Sequence, residues 1–426
     1  MARDMTERTE LDTARRSAVG RRARQVRNVW RSHGARGIAL RVVEQASARS
    51  LEVATSRLGG RATTRGLRRA DLMAADLTRP FVPPRVPWSQ GEPMALNWVM
   101  APPAPGSGGH TTAFRIIRDL ERRGHTCRIY LYDAYGGVAR DHEPVIRSSF
   151  PPMEATIHDV DDGMDDAHVV FATAWTTAYP VFNARCAGDR CYFVQDFEPW
   201  FYPVGAQSAL AENTYRMGFH AVTAGRWLST KLAGEFGMTA DPFDFGCDTD
   251  RYRRDNTGAR NGIVFYARPD APRRAFEIGI AALEVFAAAH PDIDIHLYGA
   301  TIGRLPFRAI DHGLLGVEEL NDVYNLCSAG LSLSMTNVSL VPHEMLAAGC
   351  IPVLNDAEHN RIVLDNDHVR YAAPSPHALA ALLGEVVTQP DFDEVSLAAS
   401  KSVVGVSWED ARGAVEAGLM RHLGRD

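Results

Sequence analysis

Residues 330–353, reading GLSLSMTNVSLVPHEMLAAGCIPV, constrain this chain more than any other stretch. The apolar run over 330–334 has the length and composition of a strand buried on both faces, as in a parallel sheet. A polar loop follows over 336–339, and the spacing then predicts a helix over 340–348. Gly349 is placed to end that helix, and residues 351–354 begin the next strand. A strand that runs through a loop into a helix start gathers unpaired backbone N–H groups and the positive end of the helix dipole, which suit an anion. Glu344 comes one turn later, and its carboxylate can accept hydrogen bonds from ligand hydroxyls. A sugar nucleotide has both features, a diphosphate and vicinal hydroxyls.

A second unit of this kind opens earlier. Residues 95–100 (ALNWVM) read as a strand, the turn Gly106-Ser-Gly-Gly-His110 follows, and 111–123 form an amphipathic helix with Phe114, Ile117 and Leu120 on one face. Gly124 and His125 end that helix, and CRIYLY at 127–132 is the next strand, giving a βαβ unit with a glycine-rich first turn. By itself this turn, with Gly108 and Gly109, reads equally as a ligand loop and as a turn that packs tightly. Further strands are expected over 169–173 and 191–195. The loop after the latter, DFEPWFYP at 196–203, sits at a strand's carboxyl end, where open α/β sheets bind ligands. Its carboxylates, Asp196 and Glu198, and its rings, including Trp200 and Tyr202, suit sugar hydroxyls and sugar faces. A packed Pro-aromatic turn capped by Asp196 accounts for the same residues equally well. A polar stretch over 253–261 separates a second domain, which opens with a strand at 262–267.

At 426 residues the chain has room for two domains and an appendage. Its 45% apolar and 23% charged residues describe a soluble globular protein. There is no apolar run of about 18 residues to span a membrane. The start lacks the apolar core of a signal peptide, so a cytoplasmic protein is expected, with the inner face of the plasma membrane as its alternative place. Its 6 cysteines form no Cys-x-x-Cys pair and read as reduced, buried thiols, and without clustered His or Cys ligands neither a metal nor a cofactor is expected. Residues 1–90 carry 19 Arg and 8 acidic residues against 27 basic and 44 acidic residues elsewhere, so the net charge of −6 conceals a basic start. Within it, residues 1–33 are weakly patterned, and Ile38, Val42, Val43, Ala46, Leu51, Ala54 and Leu58 recur near helical spacing. Such a stripe usually packs on its own protein; an anionic membrane surface is the alternative partner. No nucleic-acid partner is expected. Pro80, Pro83, Pro84 and Pro87 mark a linker.

The run EMLAAGCIPV from Glu344 resembles the nucleotide-sugar signature of family 4 glycosyltransferases. Where that family has an earlier Glu this chain has Thr336, a departure that resembles a branch of bacterial rhamnosyltransferases. Gly108 and Gly109 resemble the Gly-Gly turn of two-Rossmann (GT-B) enzymes, and residues 243–253 resemble the family's interdomain linker. Arg268 and Arg273 fall where the family places an Arg and a Lys on the donor diphosphate, where cations neutralise a departing anion.

The resemblance implies an α/β protein of two Rossmann-like domains facing a cleft. The domains would be a basic extension over 1–90, an acceptor domain over 91–250 completed by a helix over 407–424, and a nucleotide-sugar domain over 257–406. It implies metal-free transfer with retention, from deoxythymidine-diphosphate-rhamnose to a polysaccharide or lipid-linked glycan. Donor contacts would come from Gly108, Gly109, Arg268, Arg273, Asn337, Glu344 and the amides of Ser339, Leu340 and Val341. From the residues themselves, His110, Trp200 and Tyr202 are expected to meet the acceptor, and Asp196 and Glu198, with Arg268 and Arg273, are the expected catalytic groups. The rivals are another sugar-nucleotide enzyme on this fold, an epimerase or a phosphorylase, and a binding module that has lost catalysis.

Overall fold

The computed structural model describes residues 62–424 apart from Arg65. The chain divides into two compact units, Met1–Arg69 and Ala70–Asp426. Of the first unit, the described part is the antiparallel pair β1 (Ala62–Thr64) and β2 (Leu67–Arg68), followed by the start of helix α1 (Arg69–Ala74). The basic stretch to residue 33 and the stripe over 38–58, with its possible membrane contact, lie outside the described residues. Residues 70–90 belong with the second unit, although their prolines group them with the extension. Asp71 accepts a hydrogen bond from the Tyr132 hydroxyl at 2.7 Å, and Pro84 accepts one from the Gly188 amide at 2.8 Å.

The second unit contains two parallel sheets, each covered by helices. The first consists of β3 (Ala95–Met100), β4 (Thr126–Leu131), β5 (Thr156–Asp159), β6 (Val169–Ala172), β7 (Asp189–Val194), β8 (His220–Ala224) and β9 (Ala240–Phe243), in the order β5-β4-β3-β6-β7-β8-β9. Its helices are α2 (Gly108–Arg122), α3 (Ala139–Ser149), α4 (Trp175–Asn183), α5 (Ala206–Asn213) and α6 (Arg226–Phe236). On α2 the expected apolar stripe is buried, and on β3 Trp98 stacks on Phe171 of β6 at 4.1 Å between ring centres. Strands apolar at successive positions are what a sheet covered on both faces requires.

The second sheet has the order β12-β11-β10-β13-β14-β15 and is also parallel throughout. In chain order its elements are β10 (Gly262–Tyr266), α7 (Phe276–Ala289), β11 (Asp294–Tyr298), β12 (Ile310–Asp311), α8 (Val317–Leu326), β13 (Ala329–Leu331), α9 (Val341–Ala347), β14 (Ile351–Asn355), α10 (Glu358–Leu364), β15 (Arg370–Ala372), α11 (Pro376–Thr388) and α12 (Phe392–Lys401). The 330–353 stretch folds as expected, strand to loop to helix to strand. Gly349 ends α9 in the left-handed region, at φ 71°, which any side chain would oppose.

The last described helix, α13 (Trp408–Leu423), starts at Ser407, whose hydroxyl accepts from the amides of Glu409 and Asp410. It returns to the first domain and is fastened there. Glu416 meets Arg123 at 2.5 Å and His125 at 3.0 Å, Arg421 meets Asp241 at 2.7 Å, and His422 meets Asp189 at 3.1 Å. Among the described residues, no helix is long and apolar enough to cross a membrane.

Candidate functional site

The carboxyl ends of the two sheets face each other. Asn337, in the loop after β13, donates from its side-chain amide to the carbonyls of Gln195 and Ala224, at the ends of β7 and β8, at 2.9 and 3.1 Å. Between the domains lies a cavity of about 240 Å³. Gly108 and Arg115 of α2 form one wall, Glu344 and Leu340 another, and Asp248 and Trp408 close it.

Glu344 reaches this cavity because the loop after β13 sets α9 against the linker. Its Oε2 accepts from the Tyr324 hydroxyl at 3.5 Å, and Tyr324 in turn shares a 2.6 Å hydrogen bond with the Tyr298 hydroxyl. Burial, and then the neighbouring Asp248 charge, push the Glu344 carboxyl up to about 7, with Arg115 opposing. The buried His343 beside it is held down to about 4 by burial and is neutral at pH 7. The helix carrying Glu344 is only seven residues long, so Leu340 and Val341 offer backbone amides at a short helix start.

Arginines flank the loop. Arg273 Nε lies 3.6 Å from Asp196 Oδ2, too far for a hydrogen bond, and its guanidinium stands 4.5 Å above the Phe201 ring. Burial raises the Asp196 carboxyl pKa, while Arg274 and Arg273 pull it down. Arg274, deeper still, donates to the Ser334 hydroxyl at 2.9 Å. Arg268 pairs with Asp270 at 3.0 and 3.1 Å and donates to the Tyr266 hydroxyl at 3.1 Å. The Ser339 hydroxyl and Arg273 Nε are buried without a hydrogen-bond partner, which is costly unless a ligand supplies one.

The structure thus brings Gly108, Glu344 and Leu340 to one cavity, and Asp196 and Arg273 to each other. Gly109 packs beside Gln195, whose side-chain amide donates to its carbonyl at 2.9 Å. Asn337 is buried and ties the domains together, so its amide faces protein carbonyls. His110 braces the glycine turn, with Nδ1 2.8 Å from the Ser107 hydroxyl and Nε2 3.0 Å from the Ala101 carbonyl; burial lowers its pKa. Tyr202 accepts from Trp175 Nε1 at 3.0 Å. Trp200 stays 46% exposed, with Trp227, Phe197 and the Lys231 ammonium around it.

Glu198 is placed differently from Asp196. It is buried, and its carboxylate accepts from the Trp175 amide at 2.7 Å and the Tyr192 hydroxyl at 3.2 Å, as in a packed turn. Burial pushes its pKa up to about 8. A carboxyl raised from its ordinary 4.5 contributes stability fully present below about pH 4.5 and lost as pH rises through about 8. The thermal midpoint should therefore fall between pH 6 and 9, and Glu198→Gln should flatten that decline; parallel curves for the two proteins would overturn this assignment.

Sequence reasoning missed Arg115 and Trp408 as cavity residues. One signal was available, since Thr111 and Arg115 stand one helical turn apart behind the glycine turn and both line the cavity. Trp408 had none, because it arrives from beyond the second domain.

Two family models match in succession, the WsaF N-terminal domain over residues 101–224 and the WsaF C-terminal domain over 261–384. A curated relative, the O-antigen biosynthesis protein RfbC of Myxococcus xanthus, is 31% identical over 329 residues, covering 73% of this chain and 26% of that protein. The chain thus spans about a quarter of that relative. Among solved structures, sucrose-phosphate synthase from Thermosynechococcus elongatus aligns with a TM-score of 0.57 and 11% identity, over 77% of this chain and 98% of that one. HepE from Anabaena, solved with UDP-glucose, gives 0.57 and 14%, over 78% and 99%. At these identities the likeness shows the fold, which is that of GT-B glycosyltransferases. The chain thus matches a WsaF N-terminal domain followed by a WsaF C-terminal domain, carried on a two-Rossmann frame.

Proposed function

We propose that this protein transfers a sugar from a nucleoside-diphosphate sugar to a polysaccharide or lipid-linked glycan in the cytoplasm, with retention and without a metal. Rhamnose from a deoxythymidine diphosphate donor is the reading that follows from the family 4 resemblance, through Thr336 in place of the earlier Glu. The observation that carries the proposal is the interdomain cavity with the Glu344 carboxyl in its wall. Its 240 Å³ is below the roughly 300–1,000 Å³ of whole-ligand pockets, so it accommodates the nucleoside with its adjoining phosphate and leaves the sugar in the cleft. In support, the Ser339 hydroxyl and Arg273 Nε are buried without a hydrogen-bond partner, and HepE was solved with a nucleotide sugar.

In this mechanism the bond from the anomeric carbon to the diphosphate oxygen breaks, one to the acceptor oxygen forms on the same face, and the acceptor hydroxyl's proton passes to the departing diphosphate oxygen. Arg268 and Arg273 balance charge growing on the diphosphate, and Asp196 orients the acceptor beside Trp200. Arg273→Ala should lower turnover at least tenfold, equal to about 1.4 kcal/mol of transition-state stabilisation; an unchanged rate would remove Arg273 from the mechanism. The function itself is tested by thermal shift with deoxythymidine, uridine, guanosine and adenosine diphosphates, then by product analysis with the rhamnosyl donor. A midpoint rise with the deoxythymidine compound and a glycosylated acceptor are expected. Binding without turnover would favour the non-catalytic module, and silence from all four would overturn the proposal.

A further inference from the structure

On its first-domain wall the cavity holds a charged group that the donor reading leaves idle. Arg115 lies on α2 of the first domain, across the cavity from Glu344 of the second. Its guanidinium is held in place on two sides. It stands 4.7 Å above the Trp408 ring and pairs with Asp248. Its side chain is 16% exposed, so most of its freedom is already lost before any ligand arrives. A carboxylate on one wall and a fixed guanidinium on the other suit a molecule with hydroxyls at one end and an anion at the other.

We propose that Arg115 is a nucleotide-binding residue supplied by the first domain, gripping the phosphate of the ligand whose ribose hydroxyls meet Glu344. This rests on the proposed nucleotide-sugar function and adds a partner to it. Asp248 serves Arg115 as its counter-ion. A diphosphate, with more charge and more acceptor oxygens than one carboxylate, takes over part of that pairing. The nucleotide then touches both domains at once, through Arg115 and Glu344. A nucleoside lacking phosphate has no group for Arg115 and gains nothing from it.

The test compares the responding nucleoside diphosphate of the panel with its parent nucleoside, by calorimetric titration of wild type, Arg115→Ala and Arg115→Lys. Arg115→Ala should weaken the diphosphate at least tenfold and leave the nucleoside within twofold. Arg115→Lys should weaken the diphosphate by threefold or more, because a point charge cannot reproduce the stacked, planar contact. If Arg115→Ala does not fold, the lysine variant decides alone. Equal weakening of nucleoside and diphosphate would mark Arg115 as merely structural, and unchanged diphosphate affinity would overturn the proposal outright. A wild type that binds no panel member would overturn the nucleotide-sugar function first, and this inference with it.

Discussion

Glu344→Ala should weaken nucleoside-diphosphate binding by two orders of magnitude or more while the protein keeps its fold. A carboxylate that accepts from two ribose hydroxyls makes two charge-assisted hydrogen bonds, each worth about 1.5–3 kcal/mol. Losing both costs roughly 3–6 kcal/mol, a factor of at least about 150 in affinity. The Glu344 carboxyl is raised to about 7, so its accepting form gives way as pH falls through that value. Wild-type affinity should therefore decline from pH 8 to pH 6, and Glu344→Gln should bind weakly with a flat profile. The folded protein is affected in the opposite sense, because a raised carboxyl is most stabilising below about pH 4.5. Titrations across this range would read both; a pH-independent wild type would remove Glu344 from the ribose.

Gly246→Ala should destabilise the protein by about 3 kcal/mol, near the upper end of what one added methyl group costs in a packed site. A Cβ there would stand 2.4 Å from Trp408 N, 2.5 Å from Trp408 Cγ and 2.6 Å from Trp408 Cα. Two of those atoms are backbone and the third is the root of the ring, so no flexible tip can swing aside. The neighbouring Cys247 amide donates to the Val406 carbonyl at 3.0 Å, which fixes the linker against the segment before α13. Urea unfolding should show the loss, and Trp408→Ala in the same chain should reduce it by removing part of the obstruction. A wild-type midpoint for Gly246→Ala would show that the linker can slide away.

Much of the fold was legible because its signals are local. The 330–353 stretch reads as strand, loop, helix and strand since apolar runs, a polar break and Gly349 occur within a few residues of one another. The stripe of Phe114, Ile117 and Leu120 marks the inner face of α2 for the same reason. The lining of the candidate cavity was legible where a motif brings its members together, as Gly108, Leu340 and Glu344 show. It was not legible where partners come from distant parts of the chain. Nothing near Asp196 announces Arg273, and nothing near Arg115 announces Trp408. Glu198 shows the reverse error, since its loop has the composition of a sugar site but its carboxylate turns inward to Trp175 and Tyr192. Composition records which groups a loop owns, whereas only packing decides which way each one faces.

The return of α13 has a consequence for how the protein is made. The first sheet ends at Phe243, yet its covering helix begins at Trp408, on the far side of the whole second domain. A ribosome therefore delivers every strand of the first domain well before it delivers the helix that closes it. Until then Asp189, Asp241 and His125 lack His422, Arg421 and Glu416. The second domain, contiguous in sequence, has no such wait. The domain synthesised first is thus completed last, and a gene fragment ending after β9 would encode a sheet with an unfinished face, not a module that can be cut out and moved.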